Sequence, residues 1–255
     1  MEGAPAQPAG VWTTAFPMSS YDVDFRKQAT PISIFRIFLE AAWNHAEQLG
    51  FGFGALAAQE KLWVLARISI EISMYPRWGD KVSLSTWPRG TSGLFALRDF
   101  EIVDQENRML VAGTSGWLIL DAKSHRPQRP DKMNLPGMSG EARTALGRDP
   151  QKLPRPERLE APKSSAVASY CDIDVNDHVN SVTYVGWLLD SYSAEFHHSH
   201  SLRSIEVNYI GETRWGDAVS IVTQPASSLQ FAHWIVRTDQ SEVCRAVFHW
   251  IPQQD

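Results

Sequence analysis

Asp174, Asn176, Asp177 and His178 stand almost shoulder to shoulder, immediately before an apolar run. Carboxylate, amide and imidazole are the groups that move protons and hold developing negative charge at a carbonyl. A helix opening just behind them adds unpaired backbone N–H groups and the positive end of its dipole, which together favour an oxyanion. Asn176 and His178 stand where both side chains could reach one acyl carbonyl. Plain capping is the alternative, because Asp and Asn are common at helix starts. Capping accounts for one such residue but leaves His178 and Asn180 beside it unexplained. Glu212 ends an alternating run (Ile205, Val207, Tyr209) just before a turn. A carboxylate there could take a proton from water, and its plainer reading is an exposed turn acid.

The elements that must position these groups occur twice. The tetrapeptide RWGD stands at 77–80 and again at 214–217, an offset of 137. At that offset Ile68, Ile70 and Ile72 meet Ile205, Val207 and Tyr209, and Pro88 meets Pro225. Apolar and polar residues alternate in the same phase in both copies, the pattern of a strand with one buried face. A second strand follows each turn (81–87 and 218–224), then two more (95–103 and 110–121; 231–238 and 244–251). Short strands near 12–16 and 166–169 precede the helices.

The first helix opens on Thr30-Pro31, carries Ile34, Ile37, Phe38, Ala41, Ala42 and His45 at helical spacing, and closes at Gly50. The second carries Val179, Val182, Val185, Leu189 and Phe196, with Tyr184, Trp187, Leu188 and Tyr192 widening the stripe. A helix apolar round most of its girth is buried on most sides. Aligning the helices at an offset near 147 sets Ala29 and Pro31 opposite Asn176 and His178. The strand offset sets Tyr75 and Pro76 opposite Glu212 and Thr213. One half therefore reads as chemical and the other as a holder of hydrocarbon.

A formal net charge of −5 argues against a general nucleic-acid binder. Two cysteines, Cys171 and Cys244, are too few for a disulfide framework and fit a reduced, cytoplasmic setting. No run approaches the ~20 apolar residues of a membrane span. The expected organisation is a loose arm at 1–18, a first domain at 19–125, a Pro-rich basic linker at 126–163 and a second domain at 164–255. A short helix is expected at 140–146. The linker reads as solvated, or alternatively as a docking strip for an acidic partner. The FHHSH cluster at 196–200 has no nearby Cys or acid pair for a metal, and GFGFG at 50–54 follows a helix rather than a strand, so no metal or cofactor is expected.

The stretch DVNDHVNSVTYVGWLLD closely resembles the active-site motif of acyl-acyl carrier protein thioesterases. EAAWNHAEQLGFGFG and KLWVLARISIEISMYPRWGDKVSLSTWP resemble the same family's first half. The resemblance covers roughly residues 20 to 251. It implies an α+β tandem (double) hotdog, two long helices each wrapped by a curved antiparallel sheet. It further implies hydrolysis of fatty acyl-ACP thioesters, which ends fatty acid chain elongation, with acyl carrier protein as partner and a monomer or homodimer as the working form. Carried over residue by residue, the catalytic set is Asp174, Asn176, His178 and Glu212, with Glu212 activating water. Plant members place a cysteine directly after that acid, where this chain has Thr213. The acyl chain is expected among first-half residues such as Ile34, Phe38, Trp43 and Trp63. Hydrolysis of acyl-CoA and non-hydrolytic acyl binding are the competing readings. The D-x4-H pattern of hotdog hydratases is missing, because three residues separate Asp174 from His178.

Overall fold

A computed structural model describes residues 10–133, 135 and 143–253. The chain divides into two compact units, Met1–Leu65 with Glu71–Asp149, and Ala66–Ile70 with Pro150–Asp255.

In the first unit β1 (Trp12–Pro17) leads to α1 (Pro31–Gln48), a short α2 (Phe53–Ala57), then β2 (Lys61–Ile72, apart from its Ala66–Ile70 stretch, which counts with the second unit), β3 (Lys81–Ser92), β4 (Phe95–Val103), β5 (Met109–Asp121) and β6 (Pro127–Gln128). The strand order is β1-β3-β4-β5-β2, and β6 pairs with β5. The helix begins as its residues dictate. Thr30 Oγ1 accepts from Ser33 N at 3.0 Å, and Pro31 occupies the first turn, where no N–H is needed. Its inner stripe packs Ile34, Phe35, Phe38, Ala41 and Ala42 into the core, and Phe38 stacks on Phe100 of β4 with ring centroids 4.5 Å apart. Full burial of each large side chain contributes about 1.5–3 kcal/mol.

The second unit runs β7 (Ser164–Val167), α3 (Ser181–Leu189), α4 (Ala194–Ser199), β8 (His200–Tyr209), β9 (Ala218–Ser227), β10 (Gln230–Arg237) and β11 (Glu242–Pro252). Its order is β7-β9-β10-β11-β8, with each neighbouring pair antiparallel. Each unit thus repeats helix followed by antiparallel strands.

Four expectations are corrected. The long second helix is broken after Leu189. Ser191 Oγ bonds back to Leu188 O at 2.7 Å, and Ser193 caps a new helix by accepting from Phe196 N at 3.2 Å. The arm at 1–18 is not loose over 12–17. There β1 pairs with β3 from Trp12↔Thr86 to Pro17↔Lys81, and residues 1–9 lie outside the described residues.

The segment expected to be a solvated linker is strapped to its units. Buried Asp99 accepts from Ala145 N at 2.8 Å, Arg89 bonds Asp149 at 2.8 Å, and Asn208 Oδ1 accepts from Leu153 N at 2.8 Å. Residues 143–146 form no helix, and 140–142 fall outside the described residues. The sequence reading also omitted α2.

Candidate active site

The polar stretch folds into a closed loop ahead of α3. Asp174 N donates to His178 O at 2.8 Å, and Asp177 N to Asp174 O at 3.1 Å. Asp174 Oδ1 accepts from Asn176 N at 2.8 Å. Asp177 takes the left-handed conformation, φ 61°, which Asp tolerates better than most residues. The helix cap is Asn180, whose Oδ1 accepts from Val182 N at 2.9 Å. Capping therefore falls to Asn180 and leaves Asn176 and His178 free of that duty. The side-chain amide of Asn176 is exposed and makes no hydrogen bond among the described residues.

One backbone bond sets the register of the site. Val179 N donates to Thr213 O at 2.8 Å and so places the residue before each, His178 and Glu212, side by side. His178 Nε2 lies 3.0 Å from Glu212 Oε2, the imidazole side chain 21% exposed and the carboxylate 44%. The separation is that of an ion pair, but Nε2 has no well-aligned hydrogen-bond partner and is itself shielded from solvent. Such bonds are often misaligned before substrate arrives. Arg237 Nη1 bonds Glu212 O at 2.7 Å and fixes the strand end. Asp174 bonds within the loop, to His178 O and Asn176 N, and closes it.

The first half contains the same loop, and its position corrects the helix alignment. Asp24 N bonds Gln28 O at 2.8 Å, Asp24 Oδ1 accepts from Arg26 N at 2.8 Å, Lys27 has φ 59°, and Ala29 N donates to Pro76 O at 2.8 Å. The loop offset is therefore 150, not 147, and Arg26 and Gln28 stand opposite Asn176 and His178. Tyr75 remains opposite Glu212, as the strands predict. Asp24 does for its loop what Asp174 does for the other. The groups assigned to the chemistry are replaced, Asn176 by Arg26, His178 by Gln28 and Glu212 by Tyr75. Gln28 Oε1 is buried there with no hydrogen-bond partner.

The other nominated residues do not converge. Ile34 and Phe38 sit in the first unit's core. Trp43 is 45% exposed and stacks on Phe53, while Trp63 packs against Phe51 and donates to Phe51 O at 2.9 Å.

Behind Glu212, Thr213 is fully buried with its hydroxyl lacking an aligned partner. Burial pushes the adjoining Tyr184 phenol up to about 12, with Thr213 opposing part of the rise. Cys244 is buried, and burial holds its thiol far above the usual range; Cys171 is exposed. No group of His, Cys, Asp and Glu among the described residues is arranged to hold a metal.

Sequence reasoning missed a buried polar cluster in the first unit. Arg98 Nη1 lies 3.0 Å from His45 Nδ1 and 3.2 Å from Thr86 Oγ1. Burial, and then the Arg98 charge, lower His45 to about 4, so the imidazole is neutral at pH 7. The one signal was His45 on an otherwise apolar stripe facing a strand that carries Arg98 and Asp99.

Residues 10–133 match the acyl-ACP thioesterase N-terminal domain and residues 159–252 its C-terminal domain. An oleoyl-acyl carrier protein thioesterase of Arabidopsis thaliana, chloroplastic by name, is 32% identical over 84% of this chain and 64% of its own length. The chain thus spans just under two thirds of that relative. The solved 12:0-ACP thioesterase of Umbellularia californica is 25% identical with a TM-score of 0.86, over 95% of this chain and 98% of that one. An acyl-ACP thioesterase of Bacteroides thetaiotaomicron is 26% identical with a TM-score of 0.79, over 94% and 98%. The α+β tandem hotdog expected from the motifs is the fold of these neighbours and of this chain. With both of its domains matched in order, the chain belongs to the acyl-ACP thioesterase family.

Proposed function

We propose that this chain hydrolyses fatty acyl thioesters carried by acyl carrier protein, releasing the free acid and the carrier thiol. The observation that carries the reading is the 3.0 Å approach of His178 Nε2 to Glu212 Oε2 at the mouth of α3. Glu212 takes a proton from water as the water oxygen bonds to the acyl carbon. Asn176 and His178 orient and polarise the carbonyl oxygen, and the N-terminus of α3 favours the charge that gathers there. Collapse of the tetrahedral intermediate breaks the C–S bond, and the departing thiolate takes up the proton held by Glu212. Asp174 keeps the loop closed. The buried Thr213 hydroxyl has no aligned partner that could activate it as a nucleophile, which favours direct attack by water.

The hydrocarbon is assigned to the first unit, where Gln28 and Tyr75 replace the reactive pair. The working compartment is proposed to be the cytoplasm, with the chain acting as monomer or homodimer. Among the described residues no helix is long and apolar enough to cross a membrane.

The test is hydrolysis by the purified chain of one acyl group presented on carrier protein and on coenzyme A. Higher kcat/KM on the carrier supports the reading. Preference for coenzyme A favours the acyl-CoA alternative, and binding without turnover favours the non-hydrolytic one.

A further inference from the structure

Two sets stand out among the basic residues around the segment between the units. Arg143 pairs with Glu101 at 3.3 Å and lies over the Trp87 ring at 3.9 Å; Arg148 reaches Glu71 at 3.3 Å; Arg155 stands 3.9 Å from Glu242. These cations strap the segment down. Lys123, Arg126, Arg129 and Lys132 instead project from the turn around β6. Ala122 N bonds Glu60 O at 2.8 Å and brings Lys61 into the same neighbourhood.

The acids nearby offset only part of this charge: Glu60, Asp121 and Asp131 stand against Lys61, Lys123, Arg126, Arg129 and Lys132, and Glu47 accepts from Phe53 N at 2.8 Å beside the aromatic pair. Asp121 is engaged by Lys123 N, Ser124 N and Ser124 Oγ. Glu60 and Asp131 make pairs with Lys123 and Arg129 that are largely solvent-exposed. Such pairs contribute about 0–1 kcal/mol and exchange readily for a partner's carboxylates.

The turn is also held at both ends. β6 pairs with β5 through Ile119↔Gln128 and Leu120↔Pro127, and Met133 and Leu135 beyond it pack on Phe51, Leu56 and Ile119. The same cluster includes Leu56 of α2, whose Phe53 stacks with Trp43 as an aromatic pair left 42% and 45% exposed. Aromatic anchors beside cations are the composition of a protein interface. In a chain of net charge −5 this basic surface is a local exception that would orient an acidic partner.

We propose that this surface, the β5–β6 turn with Lys61 and the Trp43–Phe53 pair, docks the acidic face of the protein that carries the acyl thioester. The inference rests on the carrier reading above.

The test compares wild type with Arg126→Glu/Lys132→Glu on acyl-carrier and on acyl-pantetheine, which has no protein to dock. The expected result is a KM for the carrier raised about tenfold, kcat unchanged and acyl-pantetheine turnover unchanged. Unchanged acyl-pantetheine turnover also reports that the variant folds; should it fall, Arg126→Ala/Lys132→Ala replaces it, with a smaller rise expected. Lys27→Glu/Lys81→Glu, a charge reversal elsewhere on the first unit, is expected to leave the carrier KM unmoved. An unmoved KM in the first variant, or an equal rise in the second, overturns the docking site and leaves hydrolysis standing. Sedimentation with anionic phosphatidylglycerol vesicles that only the first variant loses, at unchanged carrier KM, assigns the surface to lipid and overturns the proposal. A wild type that cleaves acyl-pantetheine but not acyl-carrier overturns the carrier reading and this inference together.

Discussion

Replacing Glu212 by glutamine keeps the side chain's shape and removes its power to accept a proton. The geometry sets two magnitudes that differ enough to be told apart. As a structural contact, the Glu212–His178 approach is part-exposed on both sides, 44% and 21%, and is not aligned as a hydrogen bond. A pair of that kind contributes about 0–1 kcal/mol to folding. As a general base, the same carboxylate contributes about 10²–10⁴ in rate. That is roughly 3–5 kcal/mol of transition-state stabilisation at about 1.4 kcal/mol per decade. Glu212→Gln is therefore expected to lose about a hundredfold or more in kcat while its melting temperature moves by only a few degrees. Steady-state hydrolysis of an acyl-carrier thioester, beside a thermal melt of the same sample, reads both. His178→Ala in the Glu212→Gln background is expected to add far less than it does alone, since groups acting as a unit are not additive. A Glu212→Gln enzyme within about threefold of wild type would refute the reasoning, and so would an activity loss that merely follows unfolding.

Three further outcomes follow from particular contacts. Asp24→Ala and Asp174→Ala each remove the acceptor that closes one loop, so each should destabilise the chain by about 1 kcal/mol in urea unfolding. Only Asp174→Ala should also depress kcat; equal activity in the two variants contradicts the assignment of chemistry to one copy. Thr213→Val removes a buried hydroxyl with no aligned partner, so stability should hold or rise and kcat should stay within about threefold, whereas abolished turnover would make the hydroxyl a nucleophile. His233, enclosed between Thr223 Oγ1 and Tyr192 OH, is lowered to about 3 by burial and then by the Lys163 charge. Its folded-state pKa lies below the unfolded 6.5, so the unfolded chain binds the extra proton. Stability is thus full above about pH 6.5 and falls by up to about 1.4 kcal/mol per pH unit toward 3. Denaturation at pH 7, 5.5 and 4 should show this slope, and His233→Asn should flatten it.

Much of this was legible in the chain because strands announce themselves in alternation. The phase shared by Ile68, Ile70 and Ile72 with Ile205, Val207 and Tyr209 placed Tyr75 opposite Glu212, and the backbone bonds to Pro76 O and Thr213 O agree with it. The loop offset was misjudged because the helices were aligned by their apolar stripes. Hydrogen bonds of Asp24 and Asp174 decide the true correspondence, and stripes do not report them. The break after Leu189 was hidden because Tyr192 and Phe196 continue the apolar spacing across Ser193. Trp43 was expected beside the acyl chain because it is large and apolar, yet it stacks on Phe53 with both rings partly exposed, a pairing that helical spacing does not report. The segment between the units looked solvated because its partners Asp99, Glu101, Glu71 and Asn208 lie far away in sequence, where local composition carries no sign of them.

The central claim is that water, activated by Glu212 beside His178, attacks the thioester directly. A single turnover of acyl-carrier in ¹⁸O-labelled water, with the intact mass of the chain followed through the reaction, tests it most directly. The account predicts a free acid carrying label, stoichiometric carrier thiol and an enzyme mass that never changes. An enzyme that gains the mass of the acyl group before product appears, or a thioester left intact, contradicts it.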